Sequence, residues 1–248
     1  MNIKTGIAFS LAAIISPCAN ALDAFNPVIS NMSVLFDFNP ARGDIRTLTS
    51  RIYNDDGSLD YEMNLLMDRQ GCVTAFGAKN VSDKKFTELF RKDHALKGKD
   101  ERGEVTLTLD DKCRFVTKTD STGTAKFTYG ENGLITSVSS AKTGQTVMTY
   151  QYDTFGMLAG VETFMNGKTF LQNRLQCDVA GDKPFDCLSM TRVQGITVAT
   201  IKMNCDYDDN GLAYQCNMLS VLGRGEKQKL RKQRVSTTVT YYPRTDII

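Results

Sequence analysis

The sequence predicts a mainly β protein: an antiparallel β-meander of repeated hairpins, flat or rolled, with at most one short helix and with disulfide staples. Three observations predict this fold. One turn signature recurs along the chain, and strand patterns fill the segments between its copies. An even number of cysteines also remains once an N-terminal signal peptide is removed, which is typical of a disulfide framework in an exported protein.

The first 21 residues are typical of a secretory signal peptide. Lys4 precedes an apolar run over residues 7–15, and Ala19-Asn20-Ala21 offers a cleavage site of small residues. The apolar run is too short to span a bilayer. We therefore expect an exported chain cleaved after Ala21, with residues 22–248 forming a single β-rich domain and no transmembrane segment.

The charge balance of the chain is close to neutral. Removal of Lys4 with the signal leaves 29 basic against 28 acidic residues. A nucleic-acid-binding protein would be expected to carry a larger positive excess. Nucleic acid is therefore an unlikely partner overall.

The stretch CDYDDNGLAYQC, residues 205–216, has two competing interpretations. Its first carboxylates imitate a calcium loop, but the twelfth position holds Asn217 where a bidentate Glu is needed, and no helical pattern flanks it. Interpreted as a hairpin around Asn210-Gly211, the stretch places Cys205 opposite Cys216. A longer loop with Gly211 in a bulge would shift the register by a residue or two. The hairpin is favoured.

Similar turns recur along the chain. Each copy has an aromatic or apolar residue, then in most cases Asp or Asn, then a glycine in most cases, and an apolar residue that begins the next strand. The copies are YNDDGSL (53–59), MDRQGCV (67–73), LDDKCRF (109–115), YGENGLI (129–135), YDTFGML (152–158) and YDDNGLA (207–213). They resemble the YD repeats of secreted shell-forming and toxin-associated proteins, which wind as β-meanders.

Segments between the turns alternate or are rich in β-branched and aromatic residues, which favours strands. These segments begin at Gly103, Ala125, Thr146, Leu158, Lys168 and Val235. One helix is expected over residues 83–92, where Phe86, Leu89 and Phe90 have helical spacing after Ser82 as a candidate cap.

Six cysteines remain after export, and we expect three disulfides. Hairpin geometry pairs Cys205 with Cys216, and a second turn over residues 177–187 pairs Cys177 with Cys187. Cys72 and Cys113 then pair by exclusion. There is no C-x-x-C motif and only one histidine, so no metal or cofactor is expected.

Catalytic motifs are missing from the sequence, and we assign no catalytic residue. His94 lies in a charged stretch, and we expect it to be solvent-exposed. Acids in the turns could supply a hydrolytic pair, although such acids usually serve turn hydrogen bonds. These acids are Asp55, Asp56, Asp110, Asp111, Asp208 and Asp209.

The densest charge run in the chain covers residues 224–234, RGEKQKLRKQR. It is either an anion-binding patch or a solvated hairpin whose lysines oppose aggregation of an edge strand. The candidate patch consists of Arg224, Lys227, Lys229, Arg231, Lys232 and Arg234.

Four short motifs together resemble the YnfC-like family of enterobacterial lipoproteins. They are FDFNPARG (36–43), Gly71-Cys72, Lys112-Cys113, and CDYD (205–208) with Cys216. The resemblance runs from about Val34 to about Ser220 and implies an envelope protein of uncharacterised function with a lipid on its first mature cysteine. It shares the Cys72/Cys113 and Cys205/Cys216 pairs, whereas Cys177/Cys187 is an addition.

The lipid site implied by the resemblance competes with ordinary cleavage. Cys18 stands where a lipidated cysteine would, but Pro17 precedes it, where lipoprotein processing needs a small residue. We therefore favour a periplasmic or secreted protein cut after Ala21, with anchoring through Cys18 as the alternative.

Taken together, these features favour a non-catalytic cell-envelope protein that binds another envelope component: a protein, a lipid head group or a glycan. One alternative is a glycan-active or other hydrolytic enzyme that uses turn carboxylates. Another is a small secreted shell or effector module of the YD-repeat kind. The sequence names neither the partner nor the oligomeric state.

Overall fold

Consecutive strands pair antiparallel along the whole chain, and the last strand pairs with the first. A computed structural model describes residues 25–178 and 183–243, so the signal peptide and Cys18 lie outside the described residues. The elements are α1 (Pro27–Phe36), β1 (Ile45–Asn54), β2 (Leu59–Met67), β3 (Val73–Asn80), β4 (Lys85–Lys92), β5 (Ala95–Asp100), β6 (Gly103–Leu109), β7 (Phe115–Asp120), β8 (Gly123–Tyr129), β9 (Ile135–Ser140), β10 (Thr146–Tyr152), β11 (Leu158–Met165), β12 (Lys168–Asp178), β13 (Lys183–Val193), β14 (Ile196–Tyr207), β15 (Ala213–Leu222) and β16 (Lys229–Tyr241).

The sixteen described strands form a closed barrel. The closing ladder joins β1 to β16, from Ile45 opposite Tyr241 to Asn54 opposite Gln233. Closure leaves no strand edge to pair with another molecule. The predicted antiparallel meander is therefore confirmed, and it is rolled.

The six turn copies share one hydrogen-bond pattern. In the turn of residues 208–212, Asp208 N–H donates to Leu212 C=O at 3.0 Å and Gly211 N–H donates to Asp208 C=O at 2.9 Å. Gly211 has φ of 74°, and Cys113 takes the same left-handed position in its own copy, with φ of 60°. The register shifts by one residue beside Tyr207, so Tyr207 faces Ala213 while Cys205 still faces Cys216.

Aspartate at the head of a turn satisfies two further backbone donors. Asp153 Oδ1 accepts the N–H of Phe155 at 2.8 Å and of Met157 at 2.9 Å. Asp68, Asp110 and Asp208 make the same pair of bonds in their own turns. These bonds explain physically why the signature carries Asp at this position.

Successive turns alternate between the two ends of the barrel. The helix end carries the β2–β3, β6–β7, β8–β9, β10–β11 and β14–β15 turns, which are five of the six copies of the signature. The distal end carries the β1–β2 turn and the β15–β16 connection. At the helix end, Tyr129 donates to Phe115 C=O at 2.6 Å and Tyr152 donates to Ile135 C=O at 2.9 Å. Each of these tyrosines thereby ties its turn to the preceding copy.

Helix α1 lies inside the barrel and enters from the helix end. Asn26 caps it by accepting the Val28 N–H at 2.8 Å, and Pro27 occupies the first turn. Asn31, fully buried, donates to Gly133 C=O at 3.0 Å and accepts the Ile135 N–H at 2.9 Å. These bonds fix α1 to the β8–β9 turn.

The helix predicted over residues 83–92 is wrong, because this segment is mostly strand β4. Leu89 is fully buried and faces both Phe76 and Gly98 across the neighbouring strands. Phe90 points outward and is 61% exposed. Ser82 does not cap a helix but donates to Asp60 at 2.6 Å. Pairing on both sides therefore overrides the helical spacing.

Three disulfides join the pairs that hairpin geometry and exclusion predict. Cys177–Cys187 and Cys205–Cys216 each link directly opposed residues of neighbouring strands. Cys72–Cys113 links the β2–β3 turn to the β6–β7 turn at the helix end. The first two fix hairpin register, and the third ties two turns that are 41 residues apart.

We predict that Asp153→Ala lowers the free energy of unfolding by about 1 kcal/mol, because two backbone N–H groups lose their acceptor. Urea unfolding monitored by circular dichroism measures this change. Thr154→Ala, a substitution in the same turn, should leave the stability nearly unchanged. An equal loss in both variants would contradict this account of the turn.

Candidate functional site

A groove of about 580 Å³ runs across β14, β15 and β16 and is bordered by the β1–β2 turn. Successive side chains of a strand point to opposite faces of the sheet. Cys205, Cys216 and Val235 are buried on the inner face, so the side chains that alternate with them lie on the outer face of the barrel and form the main lining of the groove. These outward side chains are Lys202, Asn204, Asn217, Leu219, Lys232 and Arg234.

The register of the strands arranges the groove in two rows. Lys202 faces Leu219, and Leu219 faces Lys232. In the next row, Asn204 faces Asn217, and Asn217 faces Arg234. Because neighbouring strands lie ~4.8 Å apart, the backbones at Lys202 and Lys232 are about 10 Å apart, with the leucine between them.

The groove carries more positive than negative charge. Lys202 and Lys232 are exposed and form no ion pair within the described part of the chain. The Arg234 guanidinium lies 5.7 Å from the centroid of the Tyr53 ring, which is within the range of a cation–π contact. Asp55 is the one carboxylate among the lining residues. This arrangement favours an anion.

The structure divides the basic patch that the sequence predicts. Lys232 and Arg234 line the groove, and Lys227 and Lys229 are exposed near the β15–β16 connection. Arg224 borders a second cavity of about 210 Å³. Arg231 instead points inward and pairs with Asp60 at 2.9 Å.

The residues that the sequence interpretation missed come from β14 and β15. Lys202, Asn204 and Asn217 stand apart from the basic run, so its charge density does not reveal them. The pairing of Cys205 with Cys216 could have identified them, because the same strand register brings residue 204 opposite 217 and residue 202 opposite 219.

Asp60 is the centre of a buried polar cluster beside the groove. It is the extra residue of the bulge after the β1–β2 turn, and Ser82, Arg231 and Gln233 all donate to its carboxylate. Burial pushes the pKa of Asp60 upward, but the hydrogen bond from Ser82 and the charge and hydrogen bond of Arg231 outweigh it, so the pKa lies below 3.8. The ion pair holds β2 against β16.

The turn acids occupy opposite ends of the barrel. Asp55 and Asp56 lie in the β1–β2 turn at the distal end, whereas the other four belong to turns at the helix end. Hydrogen bonds from Arg114 and Lys112 overcome the effect of burial and hold the pKa of Asp110 below its usual value. These six acids thus do not converge in the groove, where a hydrolytic mechanism would need at least two.

Other residues singled out in the sequence have structural positions. His94 lies in the β4–β5 turn with 74% of its side chain exposed, 4.0 Å from Asp111. Asp208 accepts two backbone N–H groups, as a hairpin turn requires. Among the described residues, no group of three or more His, Cys, Asp or Glu side chains could hold a metal ion. No helix in the described ranges is long and apolar enough to cross a membrane.

We predict that Asp60→Asn lowers the free energy of unfolding at pH 7 by about 1 to 3 kcal/mol, since Arg231 loses its partner. The folded-state pKa of Asp60 is depressed, so its contribution is complete above 3.8 and is lost as the pH falls through the lower folded value. Urea unfolding at several pH values should therefore show the wild type and the variant converging in acid. Asp111→Asn is the exposed control, and a gap that persists in acid would contradict the assignment.

Comparison of the sequence with known proteins places this chain in a family. A model of the uncharacterised protein family UPF0257 matches residues 3–242. Proteins described as UPF0257 lipoprotein YnfC, from Escherichia coli O127:H6 and from Escherichia coli K12, are 24% identical over 220 residues, which is 88% of this chain and 90% of theirs. A porin-like protein from Bacteroides uniformis, 14% identical, superimposes with a TM-score of 0.54 over 79% of this chain and 98% of its own, a likeness of fold alone. As the short motifs predict, the chain belongs to the UPF0257 family.

Proposed function

We propose that the protein is an exported, non-catalytic envelope protein that binds an anionic glycan, or the glycan head group of a lipid, in the β14–β16 groove. The observation that carries the proposal is the set of three cations along one groove, Lys202, Lys232 and Arg234, none of which has an ion-pair partner in the described ranges. A surface that serves only solubility would not need positive charges concentrated in one groove.

The polar and apolar side chains of the groove suit a sugar. Asn204 and Asn217 offer amide donors and acceptors for hydroxyl groups, and Leu219, 38% exposed, offers an apolar surface for a ring face. Lys202 and Lys232 stand on either side, where they can meet phosphate or carboxylate groups. A multiply charged sugar fits this set better than a simple anion does.

Export is supported by the N-terminal segment and by the relatives. The relatives in Escherichia coli are described as lipoproteins, which supports an envelope location for this chain. Its Pro17 is unsuitable before a lipidated cysteine, so we propose cleavage after Ala21 and a periplasmic or secreted protein, with anchoring through Cys18 as the alternative.

We predict that lipopolysaccharide binds the purified protein and that dephosphorylated lipopolysaccharide binds at least about tenfold more weakly, because charge supplies part of the affinity. The double variant Lys202→Gln, Lys232→Gln should show a loss of the same order in biolayer interferometry.

Lys97→Gln, Lys126→Gln is the matched control, since both lysines are exposed on the outer face and their removal changes the net charge equally. Similar losses in the two double variants would point to diffuse attraction and not to the groove. Binding that ignores the phosphate groups would also contradict the proposal.

Intact mass spectrometry of the mature protein, without reduction, tests the localisation. We expect a chain that begins at Leu22 and lacks six hydrogens for three disulfides. A chain that begins at Cys18 with acyl groups would overturn cleavage after Ala21 and establish a lipid anchor.

A further inference from the structure

Three neighbouring turns at the distal end carry exposed apolar side chains. They join β11 to β12, β13 to β14 and β15 to β16, and these six strands are consecutive in the barrel. Because neighbouring strands lie ~4.8 Å apart, adjacent turns of this set stand about 10 Å apart. Their exposed apolar side chains are Met165 at 56%, Ile196 at 42%, Leu222 at 38% and Leu230 at 64%. Residues 165–168, 192–197 and 222–230 together form the distal patch.

Positively charged side chains stand among these apolar residues. Five of them are exposed: Lys168, Arg192, Arg224, Lys227 and Lys229. None of the five forms an ion pair with a side chain in residues 25–178 and 183–243. The sequence of the three segments contains a single acid, Glu226. The distal patch therefore combines apolar side chains with an excess of positive charge.

Two other turns at the distal end instead pair a cation with an acid. Lys85 pairs with Asp83 at 3.4 Å in the β3–β4 turn, and Lys118 pairs with Asp120 at 2.9 Å beside the β7–β8 turn. Within the described residues of these two turns, Val81 is the only large apolar side chain that is exposed. The combination of unpaired cations with several exposed apolar side chains is therefore a local property of the distal patch.

Core packing does not account for the four apolar side chains. None of them joins the two described clusters of buried residues that form the core. Leu230 faces Val221 on the outer side of the β15–β16 ladder, two residues from Lys232 in the groove. Single exposed apolar side chains are ordinary on a protein surface, but a group of them in one place marks a site of interaction.

The composition of the distal patch favours a lipid bilayer over a protein as the occupant. Protein interfaces are enriched in aromatic residues and depleted in lysine, whereas this patch has three lysines and no aromatic residue. At a bilayer surface, apolar side chains enter the boundary between head groups and acyl chains, while lysine and arginine meet anionic head groups. Three separate turn tips also suit a fluid surface, which does not require a matching shape.

We propose that the distal patch docks on the surface of an anionic lipid bilayer. The four apolar side chains insert among the head groups, and the five cations contact lipid phosphates. This contact is separate from an acyl anchor on the N-terminal segment, because Phe25 packs against Phe185 at the helix end, on the opposite side of the barrel. It does not depend on the glycan proposed for the groove, since the distal patch lies beyond the groove lining.

Co-sedimentation of the full mature protein, produced without an acyl group, with lipid vesicles tests the docking. We expect binding to vesicles of phosphatidylglycerol mixed with phosphatidylcholine, and much weaker binding to phosphatidylcholine alone. Lys227→Gln, Lys229→Gln should weaken binding to the anionic vesicles at least about tenfold, because two charges leave the contact. Ile196→Ser, Leu230→Ser should cause a loss of the same order at unchanged charge, because less apolar surface enters the bilayer.

Each double variant has a matched control. Lys97→Gln, Lys126→Gln removes two exposed cations from the outer face away from the distal patch. Leu66→Ser, Phe90→Ser removes two exposed apolar side chains from strand ends near the helix end. Both controls should bind the anionic vesicles as the wild type does. Unchanged thermal unfolding temperatures check that all four variants fold.

Several results would overturn the docking proposal. They are a wild type that binds no vesicles, equal binding to anionic and neutral vesicles, and equal losses in the test and control variants. A loss of the same order in Lys202→Gln, Lys232→Gln would assign the vesicle contact to the groove and would overturn it as well. Phosphatidylglycerol carries no sugar, so failure of the vesicle experiment leaves the lipopolysaccharide titration of the groove undecided, and the two proposals fail separately.

Discussion

Closure of the barrel by the β1–β16 ladder is the constraint on which the rest of the structure depends. It removes the two free edges that an open meander of this length would expose. It also brings Asn54 and Asp55 beside β16 and places Asp60 within reach of Arg231, although these residues are more than 170 positions apart along the chain. Without this ladder neither an enclosed lumen nor the border of the groove would exist.

Local features of the fold could be predicted because their causes are local. The turn signature predicts hairpins since Asp at its head accepts backbone N–H groups and Gly takes a left-handed conformation without strain. Cys205 and Cys216 could be paired from one turn because only a few residues separate each of them from it. Even there, the bulge beside Tyr207 altered the facing residues nearest the turn.

The features that could not be predicted depend on distant partners. Helix α1 is apolar on nearly every side because strands surround it, so it lacks the one-sided pattern that marks a surface helix. In β4, the spacing of Phe86, Leu89 and Phe90 fits a helix, and only the pairing with β3 and β5 decides otherwise. Two of the six outward side chains of the groove, Lys232 and Arg234, were likewise predictable from the basic run, while those on β14 and β15 required the register of another hairpin.

The proposed groove makes the register of β14, β15 and β16 decisive. On β14, Ile201 and Met203 face the lumen, while Lys202 and Asn204 alternate with them and face the groove. A slip of one residue would exchange the two sets, so that the lysine would enter the lumen and the apolar side chains would line the groove. The Cys205–Cys216 disulfide lies at most four residues from every member of both sets on β14 and β15, and it prevents such a slip covalently. The bridge therefore keeps the lysine and the asparagines of β14 and β15 on the outer face, beyond what it adds to stability.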